Sequence, residues 1–336
     1  MDELQYLASV AGIHLPYGVQ VQQYIAQDAQ PTLVTAPNGG IPAWLANYFD
    51  PKLIDVIVAP MKAALILGEQ KKGDFTTDTA TFVTIEPTGE TSAYGDHNEN
   101  GSTGINPTFP QRQSFHYQTM SQWGEREVMQ AGVAGIDYVN RINQASILTL
   151  NKYQNKTYFY GVAGLQNYGL LNDPALPASI AATDPWNDAA TDGGAVYEDI
   201  RRLFVQLQTQ CNGTIDAETE MVLGLSPTIA VALNKTNQFN VNVTDQLKKN
   251  FPNLTVITAP EYGLVITDPL APDNDELVQL IAKNIDGQVT GTCAFTEKLR
   301  AHPIIVGTSN WKQKKSQGSF GAVIFRPFAI ASMTGV

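Results

Sequence analysis

Tyr158-Phe-Tyr-Gly161-Val-Ala-Gly164-Leu-Gln-Asn167-Tyr-Gly169-Leu-Leu-Asn172-Asp-Pro174 marks the point where this chain changes character. Before it runs a long helical pattern, and after it come short alternating strands and helices. The helix reading rests on Val128, Ala131, Gly135, Tyr138, Ile142, Ala145 and Thr149, which advance in steps of three and four along one face. Ser121 is a candidate cap, Glu125 and Glu127 suit the positive end of the dipole, and Lys152 and Lys156 the negative end. Gly161 can supply the left-handed residue that stops it. From Glu125 to Tyr158 such a rod would measure about 50 Å at ~1.5 Å per residue. Gly124, Gly132 and Gly135 weaken it locally, so a bend near its start is expected.

Upstream, Thr79 to Thr119 reads as a long hairpin. Thr79–Glu86 is β-branched, Gln111–Thr119 alternates polar and aromatic residues, and Gly89–Pro107 between them is too polar for a core. A two-stranded ribbon is marginal in water by itself, so this one should lie on another surface. Residues 1–66 read as an arm and a short helix. Pro16, Pro31, Pro37 and Pro42 interrupt regular structure, and Asp50-Pro51 has the cap-then-proline form of a helix start. Trp44, Leu45, Tyr48 and Phe49 are apolar groups on a non-compact segment, which implies a surface to bind.

Downstream, after Pro174, short strands and helices alternate. Val196–Gln210 is an amphipathic helix with Tyr197, Ile200, Phe204 and Leu207 inward; Met221–Gly224 and Leu254–Ile257 are strand-like; Ser226-Pro227 and Thr244 open helices. Residues 298–336 look like a closing antiparallel meander. The fold class is therefore α+β.

Charged residues form 16% of the chain, below the usual quarter, and interface centres are similarly charge-poor. A net charge of −11 argues against strong binding of DNA or anionic lipid by the molecule as a whole. Cys211 and Cys293 are isolated and fit buried thiols in a reducing compartment. No signal peptide is visible at Met1-Asp-Glu-Leu, and no run reaches the ~18 apolar residues of a membrane span.

Signals of chemistry are weak. His14, His97, His116 and His302 fall in different elements. Asp96-His97-Asn98-Glu99 sits on a polar loop without a second ligand group, and Asp273-Asn-Asp-Glu276 lacks the glycine and distal glutamate of a calcium loop. Gly224-Leu-Ser226-Pro is not a nucleophile elbow, and Gly161-Val-Ala-Gly164 follows a helix rather than a strand. Lys312, Lys314 and Lys315 form a basic cluster suited either to non-specific nucleic-acid contact or to guarding a strand edge. No enzyme, cofactor or metal site is expected.

The order of elements, with its strongest residues in Asn151–Pro174 and Phe109–Tyr117, resembles the major capsid protein of tailed bacteriophages, the Hong Kong 97-like fold shared with encapsulins. The resemblance implies an extended loop over residues 67–123 that reaches across a neighbour and a spine helix over 124–160 in a peripheral domain. It further implies an axial domain over 161–297, with 298–336 returning to the peripheral domain. It implies a structural subunit forming pentamers and hexamers of an icosahedral shell around double-stranded DNA, assembled in the host cytoplasm and located in the virion. Partners would be other copies of the chain, a separate scaffolding protein, a portal, decoration proteins and DNA contacted non-specifically. The expected inter-subunit contacts are Trp44, Leu45, Tyr48, Phe49, Phe82, Ile85, Tyr94, His97, Arg112, Phe115 and Tyr117. An encapsulin-like compartment is the alternative, followed by a secreted adhesion or carbohydrate-binding protein.

Overall fold

The structure, a computed structural model, describes residues 61–264 and 276–336. The expected arm, its helix at Asp50–Pro60, and the Asp273–Asp275 turn lie outside the described residues. Apart from Ala134–Ile136, the described residues fall in one compact unit, and the account that follows is of that unit.

Helix α1 (Ala63–Leu67) precedes strands β1 (Glu69–Lys71) and β2 (Thr79–Thr81). Strands β3 (Thr84–Glu90) and β4 (Ser102–Thr108) form a ribbon, followed by β5 (Gln111–Gln113) and β6 (Phe115–Gly124). Helices α2 (Glu125–Val133) and α3 (Tyr138–Tyr160) come next, then β7 (Ile180–Ala181), α4 (Gly193–Gln210), β8 (Met221–Leu225) and α5 (Pro227–Ala230). The chain continues through α6 (Val243–Asn250), β9 (Leu254–Thr258), β10 (Leu277–Ala282), β11 (Asn284–Ile285) and β12 (Gln288–Val289). It closes with β13 (Gly291–Val306), β14 (Asn310–Ile324) and β15 (Ile330–Thr334).

Two sheets organise these elements: a five-stranded one in the order β7-β15-β10-β8-β9, and a four-stranded one in the order β1-β13-β14-β6. In the first, β8 and β10 are buried along their whole length, and α4 packs Val196, Ile200, Leu203 and Leu207 against them. Asp199 on α4 is buried, yet its carboxylate accepts from Trp186 Nε1 (3.0 Å), Thr183 Oγ1 (2.6 Å) and Arg202 Nη1 (3.0 Å), so its charge is compensated. A second core joins the end of α3 (Tyr158, Phe159) to Leu170, Tyr262 and Ile281.

The glycine-rich stretch folds back on the end of α3. Gly161 N donates to Thr157 O (2.8 Å), Leu170 N to Tyr158 O (2.9 Å), Leu171 N to Phe159 O (3.0 Å) and Asn172 Nδ2 to Tyr160 O (2.6 Å). The carbonyls that every helix end leaves unpaired are thus satisfied by the chain that follows. Gly161 has φ +64°, and a Cβ on Gly169 would lie 2.2 Å from the Phe159 carbonyl carbon and oxygen. Glycine is required there for the two backbone segments to touch.

Several expectations change. The rod is interrupted: α2 ends at Val133, Gly135 has φ +71°, and Asp137 caps α3 by accepting from Asn140 N (3.3 Å). Ser121 is no cap but a strand residue opposite Gln313, because β6 runs on to Gly124 in a ladder with β14. Ala145 and Thr149 of the expected inward stripe are exposed; the buried face runs through Ser146, Leu150, Gln154 and Thr157. Polar side chains can occupy that face because β14 offers them polar partners. The hairpin is also rearranged. Thr79–Thr81 pairs with Gln111–Gln113, the supposed loop tip supplies β4, and Phe115–Gly124 leaves the hairpin for β14. Finally, Ile330–Thr334 joins the five-stranded sheet between β7 and β10 instead of the sheet beside α3, since its nearly unbroken buried run needs cover on both faces.

Gly169→Ala is expected to lower the unfolding free energy of the subunit by about 1–3 kcal/mol or more. Gly132→Ala, in helix α2 with nothing within 4 Å of the added Cβ, should raise it by roughly 0.5–1 kcal/mol. Urea unfolding of both variants checks the pair; equal and small effects would contradict the close packing at Gly169.

Candidate interaction surfaces

The β3–β4 ribbon is exposed at every residue of both strands, with register from Thr84 opposite Thr108 to Glu90 opposite Ser102. Strand alternation sets Ile85 and Pro87 beside Pro107 and Ile105 on one face and turns Glu86 and Glu90 to the other. Ile85 is 56% and Ile105 62% exposed, so the apolar row is uncovered. Pro87 and Pro107 are tolerated because a two-stranded ribbon has open edges on both sides. At the tip, Asn98 Nδ2 donates to Ala93 O (2.6 Å) and Tyr94 OH to Asp96 Oδ1 (3.0 Å), so the tip holds its own shape. The ribbon base borders a groove of about 500 Å³ whose far wall includes Cys211, Ile285, Phe325 and Phe328. Burial pushes the Cys211 thiol up to about 11, which keeps it protonated and unreactive at neutral pH.

The residues expected to bind neighbours divide into two sets. Ile85, Tyr94 and His97 are exposed on the ribbon and its tip. Phe82, Arg112, Phe115 and Tyr117 are engaged within the chain. Phe82 meets Phe325 edge-on at 5.7 Å between centroids, and Phe115 and Tyr117 lie 6.2 and 4.6 Å from the Tyr153 ring on α3. Arg112 Nη2 donates to Asp173 Oδ2 (2.9 Å), with the guanidinium 4.9 Å from the Tyr168 ring centre. Together they fasten the foot of the loop to the body. Trp44, Leu45, Tyr48 and Phe49 lie outside the described residues.

The α3–β14 seam is polar. Lys315 is 4% exposed, and its Nζ donates to Asn143 Oδ1 (2.7 Å) and Ser146 Oγ (2.7 Å), while burial lowers the pKa of the amine. Gln317 Nε2 donates to Asn151 Oδ1 (2.9 Å), and Gln317 Oε1 accepts from Tyr117 OH (2.9 Å). Lys315 is therefore a buried seam residue, not part of an exposed lysine cluster. Lys312 and Lys314 share the opposite face, as their spacing indicated. His116 pairs with Thr296 and His302 with Ser316 at 3.2 and 3.1 Å. Among the described residues no group of three or more His, Cys, Asp or Glu is placed to hold a metal.

Sequence reading missed Ile105, Pro107, Met120 and Ile305 as exposed apolar groups. The alternation of Ile85 and Pro87 against Ile105 and Pro107 was the available signal, hidden among glycines and asparagines.

A family model described as Pa193 gp26 major capsid protein matches residues 32–335. None of the curated proteins compared with the chain matches it. Among solved structures, a chain from the capsid of Myoviridae phage XM1 aligns with TM-score 0.73 at 16% identity, over 88% of this chain and 99% of that one. A chain from the capsid of the native GTA particle aligns with TM-score 0.60 at 11% identity, over 89% and 99%. One from Gordonia phage Cozz gives 0.58 at 9%, over 91% and 96%. At these identities the likeness is one of fold.

Arg112→Ala would remove the cation beside the Asp173 side chain, which is 1% exposed and would keep only the Ala175 N–H, and should cost about 3–5 kcal/mol of subunit stability. Arg112→Lys keeps the charge but loses the planar group beside the Tyr168 ring, so it should fall between. Chemical denaturation of unassembled subunits is the check, and a loss below about 1 kcal/mol for Arg112→Ala would show the pair to be dispensable.

Proposed function

The chain belongs to the family described as Pa193 gp26 major capsid protein, and from this premise we propose that it tiles a closed icosahedral shell of pentamers and hexamers around double-stranded DNA. Its fold is Hong Kong 97-like and its role is that of a structural capsid subunit of the virion. The observation that supports the assembly reading most directly is the ribbon: an apolar row, Ile85, Pro87, Ile105 and Pro107, held in fixed register and left exposed by its own chain. Exposed apolar patches of this kind mark interaction sites. Contacts between unlike patches of identical subunits close into rings when the rotation permits, and many weak contacts become strong in a closed shell. Assembly takes place in the host cytoplasm with a separate scaffolding protein, a portal and decoration proteins as partners. DNA is held by confinement, a reading that the net charge of −11 supports. Family membership selects this role over a secreted adhesion protein.

Replacing residues 87–105 by Asn-Gly joins the directly paired Glu86 and Asn106 through a two-residue hairpin turn. The shortened subunit is expected to unfold like the intact one yet to form no shells in light scattering or electron microscopy. Normal shells from it would remove the ribbon from the assembly account, and an intact chain that yields no ring or shell under any condition would remove the account itself.

A further inference from the structure

Three Asn-Gly dipeptides occur in the chain: Asn38-Gly39, Asn100-Gly101 and Asn212-Gly213. The first lies outside the described residues. An asparagine followed by glycine is open to attack by the next backbone nitrogen on its own side-chain carboxamide, because glycine has no Cβ to crowd the approach. That attack needs a glycine N–H free of an acceptor, an asparagine amide free to swing, and a nitrogen acidic enough to lose its proton. The fold sets these conditions differently at the two described sites.

Asn212-Gly213 closes the end of α4. Both residues have positive φ, 51° and 77°, and Gly213 N donates to Gln208 O (2.9 Å). The nitrogen that would attack is therefore committed to a helix carbonyl, and releasing it means opening the helix end. Asn100-Gly101 lies at the ribbon tip, just before β4, and both residues are exposed. Among the described residues neither Gly101 N–H nor the Asn100 carboxamide has a hydrogen-bond partner. The backbone beside them is nonetheless held. Asn100 N donates to Asn98 Oδ1 (2.9 Å), and Ser92 Oγ donates to Asn100 O (2.5 Å). That second bond falls on the carbonyl of the amide whose nitrogen would attack. A hydrogen bond there polarises the amide and makes its N–H more acidic.

We propose that Asn100 is a self-modification site, at which the Gly101 nitrogen, activated by the Ser92 hydroxyl, closes on Asn100 Cγ. Hydroxide takes the Gly101 N–H proton, the nitrogen bonds to Cγ, and the bond from Cγ to Nδ2 breaks. The departing nitrogen takes a proton from water and leaves as ammonia, which restores the hydroxide. Water then opens the succinimide at either ring carbonyl, giving aspartate or isoaspartate. No electrons are transferred, and water is the one co-reactant. Either product adds a negative charge to residues 84–108, which hold Glu86, Glu90, Asp96 and Glu99 and no Lys or Arg. Isoaspartate also routes the main chain through the side-chain carbon, which moves the carbonyl that Ser92 engages. The tip that Asn98 and Tyr94 hold in shape is thus reset once and irreversibly. This inference goes beyond the assembly reading and does not depend on it.

The test ages the full wild-type chain, folded and unassembled, in mildly alkaline buffer. Peptide mapping by mass spectrometry follows the amide-to-acid change at both sites, and enzymatic methylation of isoaspartate identifies the product. Asn100 is expected to convert roughly tenfold or more faster than Asn212, whose partner nitrogen is held by a hydrogen bond and a helix end. It should yield both acids, and its rate should rise with hydroxide concentration. In urea the two rates should converge, because the cap at Gly213 is lost. Ser92→Ala should slow Asn100 by roughly threefold or more, and Ser92→Thr, which keeps the hydroxyl, should restore the rate. An Asn100 that stays intact in the folded chain, equal rates at the two sites before urea is added, or aspartate as the sole product would each overturn the site. A Ser92→Ala chain that ages like wild type would overturn the role of the hydroxyl. A chain that ages in this way yet never forms shells would overturn the assembly reading and leave the site standing.

Discussion

The carbonyls of Tyr158, Phe159 and Tyr160 point out of the end of α3 with no partners in their own helix, and the chain must turn back to meet them. It does so through Gly161 to Asn172, and everything on either side depends on that return. Because Leu170 and Leu171 donate to the helix end, their side chains are delivered into the core shared with Tyr262 and Ile281. Because Tyr168 O accepts from Ala322 N (2.9 Å), the same segment is stitched to β14. Asn167 Nδ2 donates to both Gln113 O and Ser319 O (3.0 Å each), which ties in the foot of the extended loop. Asp173 completes the junction by holding Arg112. One backbone reversal thus fixes the long helix, both sheets and the origin of the ribbon relative to one another. A bulkier residue at Gly169 would disturb all of these at once.

The helix above that junction is held differently. Its seam with β14 is made of Lys315, Gln317 and Ser319 against Asn143, Ser146, Asn151 and Thr157. A helix sliding on an apolar sheet loses little per step, whereas sliding here would strand a buried ammonium and buried amides. Register along the seam is therefore set by hydrogen bonds, with the Phe115–Tyr117–Tyr153 rings filling the space beside them.

This contrast explains what the sequence made legible. The glycine run, the α/β alternation after Pro174, the strand at Met221 and the Ser226-Pro227 start are local signals, and the structure carries each one. Ser226 Oγ accepts from Ile229 N (3.2 Å), although the helix it opens ends at Ala230. The inward face of α3 was misread because hydropathy ranks Ala145 and Thr149 above Ser146 and Gln154, and only the identity of the opposing strand reverses the order. The sequence marked Phe115 and Tyr117 as exposed-looking aromatics but could not show that both rings pack beside Tyr153 of the same chain, a contact 36 or more residues away in sequence. Residues 102–108 were too rich in Gly, Asn and Pro to show as a strand, yet pairing with Thr84–Glu90 sufficed.

Among the described residues the ribbon is exposed along both strands, yet it is held in shape. Its foot is fixed by Arg112, Phe82 and the β2–β5 pair, its register by the β3–β4 ladder, and its tip by Asn98 and Tyr94. A loop that orders only on contact loses conformational entropy at that moment and binds more weakly for it. A ribbon already paired, with φ restricted at Pro87 and Pro107, has lost most of that freedom during folding. The free energy of contact can then go almost entirely into association. Among the described residues the ribbon's anchors lie inside the chain, so its shape is set when the subunit folds.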